Sequence, residues 1–117
     1  MVCLVIKSGG AAALPEWKAL FARLMPSLAV RDWNDPAVDP AHVDYALVWK
    51  PEPGPLAKMV NLKAILSAAV GVDHITCDPN WPKTVPLIRM GGELPAQQME
   101  DYVLWAVIGL LRDARTW

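Results

Sequence analysis

The chain has 117 residues, of which 54% are hydrophobic and 20% charged, and its formal net charge is −1. This length and composition are those of about one globular domain with a core of its own. The near-neutral charge gives no basic surface for nucleic acid, and the longest apolar run, residues 102–111, is about half a membrane span. Cys3 and Cys77 have neither metal-ligand nor redox spacing, and no secretory signal is visible. We therefore expect a cytoplasmic protein with reduced cysteines, of which Cys3 is buried.

Strands and helices are predicted to alternate along the chain. Short apolar runs, several of them β-branched, predict five strands at 2–6, 28–33, 45–49, 64–69 and 87–90. An apolar stripe with helical spacing predicts a helix over 15–25, bounded by Pro15 and Pro26, and shorter helical turns are expected at 40–43 and 56–59. Because such alternation needs crossover connections, the expected fold class is α/β, a flavodoxin-like parallel sheet of about five strands with flanking helices.

A long C-terminal helix is expected from about Leu94 to Arg115. Acidic residues toward its start and arginines toward its end complement the helix dipole. Its middle is apolar nearly all round, and a helix of that kind has to be covered on most sides. A five-stranded domain of this size has too few residues to cover it, so we expect another domain or another chain to do so. The sequence ends directly after this helix, which gives the expectation of a truncated protein.

Ligands of open parallel sheets bind beyond the carboxyl ends of the strands. Four loops are expected to meet there, 7–10, 49–55, 69–74 and 91–94. The first and third strands are followed by Lys7 and Lys50 rather than by acidic residues, which excludes a phospho-acceptor receiver domain. The loop Ser8-Gly9-Gly10 is too short a match for a flavin-phosphate or P-loop cradle.

The most informative loop follows the fourth predicted strand, where Val70-Gly71-Val72 precedes Asp73 and His74. Glycine permits a sharp turn, and successive peptide N–H groups at such a turn can form a nest for a small carboxylate. Asp73 is interpreted as the cap of the short turn that follows. His74 has no acidic or cysteine partner at ligand spacing, so it is interpreted as a surface or capping residue. Trp49 is either the wall of an apolar substrate pocket or a half-buried aromatic at a strand end.

Several motifs occur in a fixed order between residues 45 and 112. They are Trp-Lys-Pro at 49–51, Asn-Leu-Lys-Ala at 61–64, Val-Gly-Val-Asp-His at 70–74, Val-Pro-Leu-Ile-Arg at 85–89 and Gln-Met-Glu-Asp-Tyr-Val at 98–103. Together they resemble D-isomer-specific 2-hydroxyacid dehydrogenases, and within that family the glyoxylate/hydroxypyruvate reductase A type. The resemblance implies a two-domain enzyme in which a discontinuous flavodoxin-like substrate domain brackets a Rossmann domain that binds NADH or NADPH.

On this chain, the resemblance implies the N-terminal part of the substrate-binding domain over 1–93 and an inter-domain crossing helix over 94–117. The nucleotide-binding domain is absent, and the chain has no Gly-x-Gly-x-x-Gly sequence. Four residues are implied to bind substrate, the backbone amides of Val70 and Gly71 holding the carboxylate while Trp49 and Lys50 line the pocket.

The family's catalytic arginine, acidic residue and histidine fall in or after the nucleotide domain. His74 and Arg89 are therefore not assigned to those roles, and the expected catalytic, cofactor-binding and metal-binding residues of this chain are none. Cofactor chemistry, through NAD(P), belongs to the parent family.

Two functions follow. The first is the N-terminal substrate-binding part of an NAD(P)-dependent 2-hydroxyacid dehydrogenase, which binds a small 2-oxo or 2-hydroxy acid and is inactive alone. The second is a free-standing small-carboxylate-binding or protein-interaction module derived from that domain. In either case the apolar C-terminal helix is expected to form a homo-oligomer such as a homodimer, with no nucleic acid and no membrane as partner.

Overall fold

The computed structural model describes residues 1–116, and Trp117, the last residue of the predicted crossing helix, lies outside the described residues. The strands are β1 Val2–Lys7, β2 Leu28–Asp32, β3 Tyr45–Val48, β4 Ala64–Ser67 and β5 Leu87–Ile88. The α-helices are α1 Leu14–Leu24, α2 Pro55–Lys58, α3 Asp73–Thr76 and α4 Glu93–Leu111. Short 3₁₀ turns occur at Ala11–Ala13, Pro40–His42 and Ala114–Thr116.

The five strands form one parallel sheet in the order β2-β1-β3-β4-β5. This is the flavodoxin-like strand order, so the predicted fold class is confirmed. Tyr45 of β3 is in register with Leu4 of β1 on one side and with Ala64 of β4 on the other. All strands therefore deliver their carboxyl ends, and the loops that follow, to one edge of the sheet.

The core forms where the central strands meet the two short helices α2 and α3. Val5, Val48 and Ile65 are fully buried on the central strands, and Leu56 of α2 and Ile75 of α3 pack with them. Burial of each such side chain contributes roughly 1.5–3 kcal/mol, which fixes the two short helices against the sheet. Cys3, which was expected to be buried, is half-buried beside this core, and its burial raises the pKa of its thiol.

Helix α4 contributes nothing to this core. No residue of α4 is buried, and Trp105 and Leu111 are 72% and 79% exposed. The described chain consequently measures 59 × 35 × 24 Å, because α4 projects from the sheet. Within residues 1–116, no helix is long and apolar enough to cross a membrane.

Helices α1 and α2 begin and end one residue earlier than predicted, and two larger differences concern α4 and α3. Helix α4 ends at Leu111 rather than Arg115, since Asp113 takes the left-handed conformation at φ 50° and a 3₁₀ turn follows. Aspartate is one of the few non-glycine residues that adopt this conformation, which ends a helix. The expected short turn after Val72 is helix α3, and the interpretation of Asp73 as its cap is wrong. Asp73 is the first helical residue, and no side chain caps the helix.

Candidate functional site

The turn between β4 and α3 carries the two predicted carboxylate-binding amides. Val70 is 56% exposed and Gly71 is exposed as well. The backbone N–H groups of Val70, Gly71 and Val72 donate no hydrogen bond to any residue between 1 and 116. Three successive peptide donors at a strand end are therefore available to an external acceptor such as a carboxylate.

The reason for a glycine at position 71 differs from the predicted one. The φ angle of Gly71 is not positive, so this residue does not supply the left-handed backbone of a peptide nest. A Cβ at this position would instead lie 3.0 Å from the carboxylate oxygen Oδ1 of Asp73. Gly71 thus allows the turn to approach the start of α3 closely.

Ser67 and His74 hold this turn from inside. The Ser67 side chain is 97% buried at the end of β4, and its Oγ accepts the Ala69 N–H at 3.2 Å. The carbonyls of Ala69 and Gly71 lie 3.0 Å from the same Oγ. His74 Nε2 lies 3.0 Å from the Gly71 carbonyl and 3.1 Å from Ser67 Oγ. These contacts occupy the carbonyls of Ala69 and Gly71 and leave the N–H groups of residues 70–72 free.

His74 also reaches the loop after β3. Its Nδ1 accepts the backbone N–H of Lys50 at 3.1 Å. Lys50 has φ 50°, a left-handed conformation that costs a non-glycine residue about 1–3 kcal/mol. The interpretation of His74 as a surface or capping residue is incomplete, because one imidazole ring joins both predicted substrate-binding segments.

The side chains of Trp49 and Lys50 lie together at the end of β3. Trp49 is 47% exposed, and its backbone N–H donates to the Lys7 carbonyl at 2.8 Å. Lys50 Nζ lies 4.8 Å from the centre of the Trp49 indole ring. This cation–π contact places an ammonium group beside an exposed aromatic face. Both features suit an anion with an apolar part.

The proline-rich loop that carries Lys50 is anchored by residues that sequence reasoning missed. Glu52 accepts a hydrogen bond from Lys7 Nζ at 2.6 Å and another from Trp33 Nε1 at 2.7 Å. The Lys7 ammonium is the main reason why the pKa of Glu52 lies below its ordinary value. The buried carboxylate of Asp78 accepts the Gly54 N–H at 3.1 Å and the Asn80 N–H at 2.9 Å. No local sequence pattern indicates these long-range contacts.

A cleft of about 350 Å³ opens at the same edge of the sheet, beside the end of β3. It lies where the strand order reverses between β1 and β3, the position at which ligands of such sheets bind. Trp49 and Lys50 line it, together with Lys7, Trp17, Asp32 and Asn34. Val70 and Gly71 do not line this cleft, so the predicted residues form two adjoining parts that His74 connects.

The two glycines after β1 do not open a site for the pyrophosphate of a dinucleotide. The one glycine pair after β1 is Gly9-Gly10, and a Cβ at Gly9 would lie 2.7 Å from Ala13 Cβ. Gly9 therefore serves close packing of the following helical turn rather than access for a pyrophosphate. In the described part of the chain, no three His, Cys, Asp or Glu side chains converge as metal ligands do.

Comparison with known proteins gives a consistent set of relatives. The chain is 36% identical over 102 residues to glyoxylate/hydroxypyruvate reductase A of Serratia proteamaculans, a match that covers 83% of the chain and 32% of that protein. The reductase A of Yersinia enterocolitica is 32% identical over the same length. The chain thus spans about a third of the length of these curated relatives. No protein-family model matches it.

Two solved structures with the same fold are named as a 2-hydroxyacid dehydrogenase and a glyoxylate/hydroxypyruvate reductase. A D-isomer-specific 2-hydroxyacid dehydrogenase from Xanthobacter autotrophicus, in complex with NADPH and MES, superposes with a TM-score of 0.78 and 33% identity. The match covers 98% of this chain and 37% of that one. An NADPH-dependent glyoxylate/hydroxypyruvate reductase from Sinorhizobium meliloti, in complex with NADP and sulfate, gives a TM-score of 0.75 at 28% identity, over 99% of this chain and 37% of that one. The resemblance seen in the sequence motifs is confirmed.

Proposed function

Because the chain is related to D-isomer-specific 2-hydroxyacid dehydrogenases over about a third of their length, we propose that it is the N-terminal, substrate-binding part of such an enzyme. Residues 1–93 form the substrate-binding part, and the segment from residue 94 onward, which contains nearly all of α4, crosses to a nucleotide-binding domain. The substrate class is a small 2-oxo or 2-hydroxy acid. The two free cysteines suit a reducing compartment such as the cytoplasm.

The free amides of Val70 and Gly71 are the observation that carries this proposal. They lie at the carboxyl end of a central strand, in the segment shared with the relatives, and have no competing partner among the described residues. One relative with a solved structure, from Sinorhizobium meliloti, is in complex with sulfate, and another, from Rhizobium etli, is in complex with L(+)-tartaric acid. Two N–H donors directed at a carboxylate suit ligands of this kind.

The chain's own residues act by binding and orientation. The amides at 70 and 71 hold the carboxylate, while the indole of Trp49 and the ammonium of Lys50 bound the space where the rest of the acid lies. In the parent family, the nicotinamide cofactor supplies the hydride. None of the described residues of this chain is assigned to proton transfer, so we expect no NAD(P)H-dependent reduction of glyoxylate by this chain alone.

The binding proposal is tested by titrating the isotope-labelled chain with oxamate, an unreactive analogue of a 2-oxo acid, and following backbone amide resonances. Each charge-assisted contact contributes about 1.5–3 kcal/mol against an association cost of about 4 kcal/mol or more, so we expect a dissociation constant of about 1 mM or weaker. The resonances of Val70 and Gly71 should shift first.

Val70→Pro and Val70→Ala form a matched pair for this experiment. Proline removes the N–H donor and alanine keeps it, while both shorten the same exposed side chain. We expect Val70→Ala to bind oxamate as the unmodified chain does and Val70→Pro to lose most of its binding. Equal binding by two folded variants would exclude the amide of residue 70 as the carboxylate donor.

We propose in addition that α4 is covered by protein, and that in this chain alone the cover is a second copy. The apolar residues Val103, Trp105, Val107, Leu110 and Leu111 are each 48–79% exposed and surround the helix. Exposed apolar surface of this extent drives association. The same surface favours the alternative function, a free-standing carboxylate-binding or protein-interaction module derived from the enzyme.

A further inference from the structure

We infer that His74 is the positioning residue that sets the geometry between the two halves of the candidate site, and that it does so only as the neutral imidazole protonated on Nε2. The two halves are the Lys50 loop and the Gly71 turn. The inference rests on the proposed function, because that function makes these two segments one binding site. Its evidence is the hydrogen bonding of one ring to both segments.

The tautomer follows from the donors around the ring. The Lys50 backbone N–H can only donate, so Nδ1, at 3.1 Å, has to be the acceptor and carries no proton. The proton of the neutral ring therefore resides on Nε2, where the Gly71 carbonyl at 3.0 Å and Ser67 Oγ at 3.1 Å accept it. If Nδ1 carried the proton, its N–H and the Lys50 N–H would face each other as two donors, and no hydrogen bond could form between them.

The contact matters because Lys50 holds an unfavourable backbone conformation. Its φ of 50° persists only while surrounding interactions favour it, and the bond to His74 acts directly on its own N–H. Release of that bond lets residue 50 leave the left-handed region, which moves the ammonium group and the Trp49 ring beside it. The Gly71 turn loses its fixed distance to this loop at the same time.

Few charged groups surround the ring. The Asp73 carboxylate precedes it on α3, and the Lys50 ammonium lies over the Trp49 ring on the facing loop. The Cys77 thiol, on the next turn, donates to the His74 carbonyl at 3.5 Å. The segment 69–72 at the end of β4 carries no ionisable side chain. Protonation of Nδ1 therefore acts mainly on the hydrogen bond that Nδ1 accepts from the Lys50 N–H.

The experiment follows the backbone amides of Lys50 and of residues 71 and 72 by NMR while the pH is lowered. The imidazole resonances of His74 report its protonation in the same samples. His74→Asn is the matched variant, since asparagine Oδ1 occupies the place of Nδ1 and accepts the Lys50 N–H but does not titrate. His74→Ala removes both contacts.

In the unmodified chain, we expect the Lys50 and Gly71 amides to shift together with the protonation midpoint of His74. In His74→Asn the same amides should be insensitive to pH. Oxamate binding should weaken about fivefold in His74→Ala, the equivalent of one net hydrogen bond, and should change less than about twofold in His74→Asn.

A Lys50 amide that ignores the protonation of His74 would overturn the inference, as would oxamate affinity unaltered in His74→Ala. Should the unmodified chain bind no oxamate at all, the proposed carboxylate site fails, and the ligand-free shifts of Lys50 and Gly71 still decide the role of His74. If His74→Ala does not fold, the unmodified chain and His74→Asn decide it by their pH response.

Discussion

At the scale of single residues, Asp44 links β1 to the segments that directly precede β3 and β4. Its Oδ2 accepts the Cys3 N–H from β1 at 2.9 Å. Its backbone carbonyl accepts the Lys63 N–H at 2.7 Å, and its Oδ1 lies 3.4 Å from Lys63 Nζ, just before β4. The bond from Cys3, opposed by a smaller effect of burial, lowers the pKa of Asp44 below its ordinary value.

We expect Asp44→Ala to lower the free energy of unfolding at neutral pH by about 1–2 kcal/mol, somewhat less than the roughly 1.5–3 kcal/mol of a hydrogen bond to a charged group, because the Asp44 side chain is 22% exposed. Because the folded-state pKa of Asp44 is depressed, its stabilisation is complete above the unfolded-state pKa and is lost as the pH falls through the folded-state pKa. The difference between the two proteins should therefore shrink in acid. Urea denaturation over a pH series measures it.

Asp101→Ala is the control for this prediction, since Asp101 is exposed on α4 and has no ion pair among the described residues. It should change stability little at any pH. A loss in Asp44→Ala that stays constant into strong acid would show that the carboxylate charge is not the source of the stabilisation.

The position of the candidate amides after a strand could be predicted from the sequence. The hydrogen bonds that hold the turn around them could not. Val70 and Gly71 could be located from strand periodicity and motif resemblance, because both are local patterns. The partners of the His74 ring could not, since Lys50 and His74 are 24 positions apart and meet only through the register of β3 and β4. The left-handed conformation of Lys50 had no signal either, because lysine is not a residue that favours it.

At the scale of elements, the strands were predictable, whereas helix α3 was predicted only as a short turn. β1 and β4 are continuous apolar runs because both are covered on their two faces, and that produces a strong local signal. Helix α3 has four residues, too few for a periodic pattern, and the capping role assigned to Asp73 was wrong, so the sequence indicated only a short turn. Its position depends on the burial of Ile75 against the sheet, which is a tertiary effect.

The exposure of α4 leads to a prediction about a shortened chain. Because no α4 residue is buried, a chain that ends after Gly92 should keep the sheet and unfold cooperatively with a midpoint within about 5 °C of the full chain, equivalent to about 1 kcal/mol. Thermal unfolding followed by near-ultraviolet circular dichroism measures this.

The comparison is a matched deletion at the other end, which removes residues 1–7 and with them β1. Since β1 pairs with both β2 and β3, that chain should not fold. If the chain lacking α4 were unfolded too, the proposed division into a substrate-binding part and a crossing helix would be wrong.

At the scale of the whole molecule, the candidate site and the most extensive exposed apolar surface lie on different elements. The candidate site lies at the carboxyl edge of the sheet, whereas another groove, of about 1050 Å³, lies elsewhere and is lined by Met1, Cys3, Asp44 and Asn61 near the amino ends of β1, β3 and β4. The apolar surface is concentrated on α4. A packed sheet beside a helix with no buried residue supports the proposal that protein outside this domain covers α4.

This arrangement predicts association through α4 that charge on the helix abolishes. Leu104 and Leu111 are 60% and 79% exposed and lie two turns apart on one face of α4, so Leu104→Glu with Leu111→Glu places two charges in any apolar interface. The double variant should be monomeric by light scattering at concentrations where the unmodified chain is at least dimeric. Gln97→Glu with Gln98→Glu adds the same charge to the same helix outside its apolar run, and it should associate as the unmodified chain does. A monomeric unmodified chain at high concentration would refute a second copy as the cover, because an apolar surface of this extent would then remain exposed in solution.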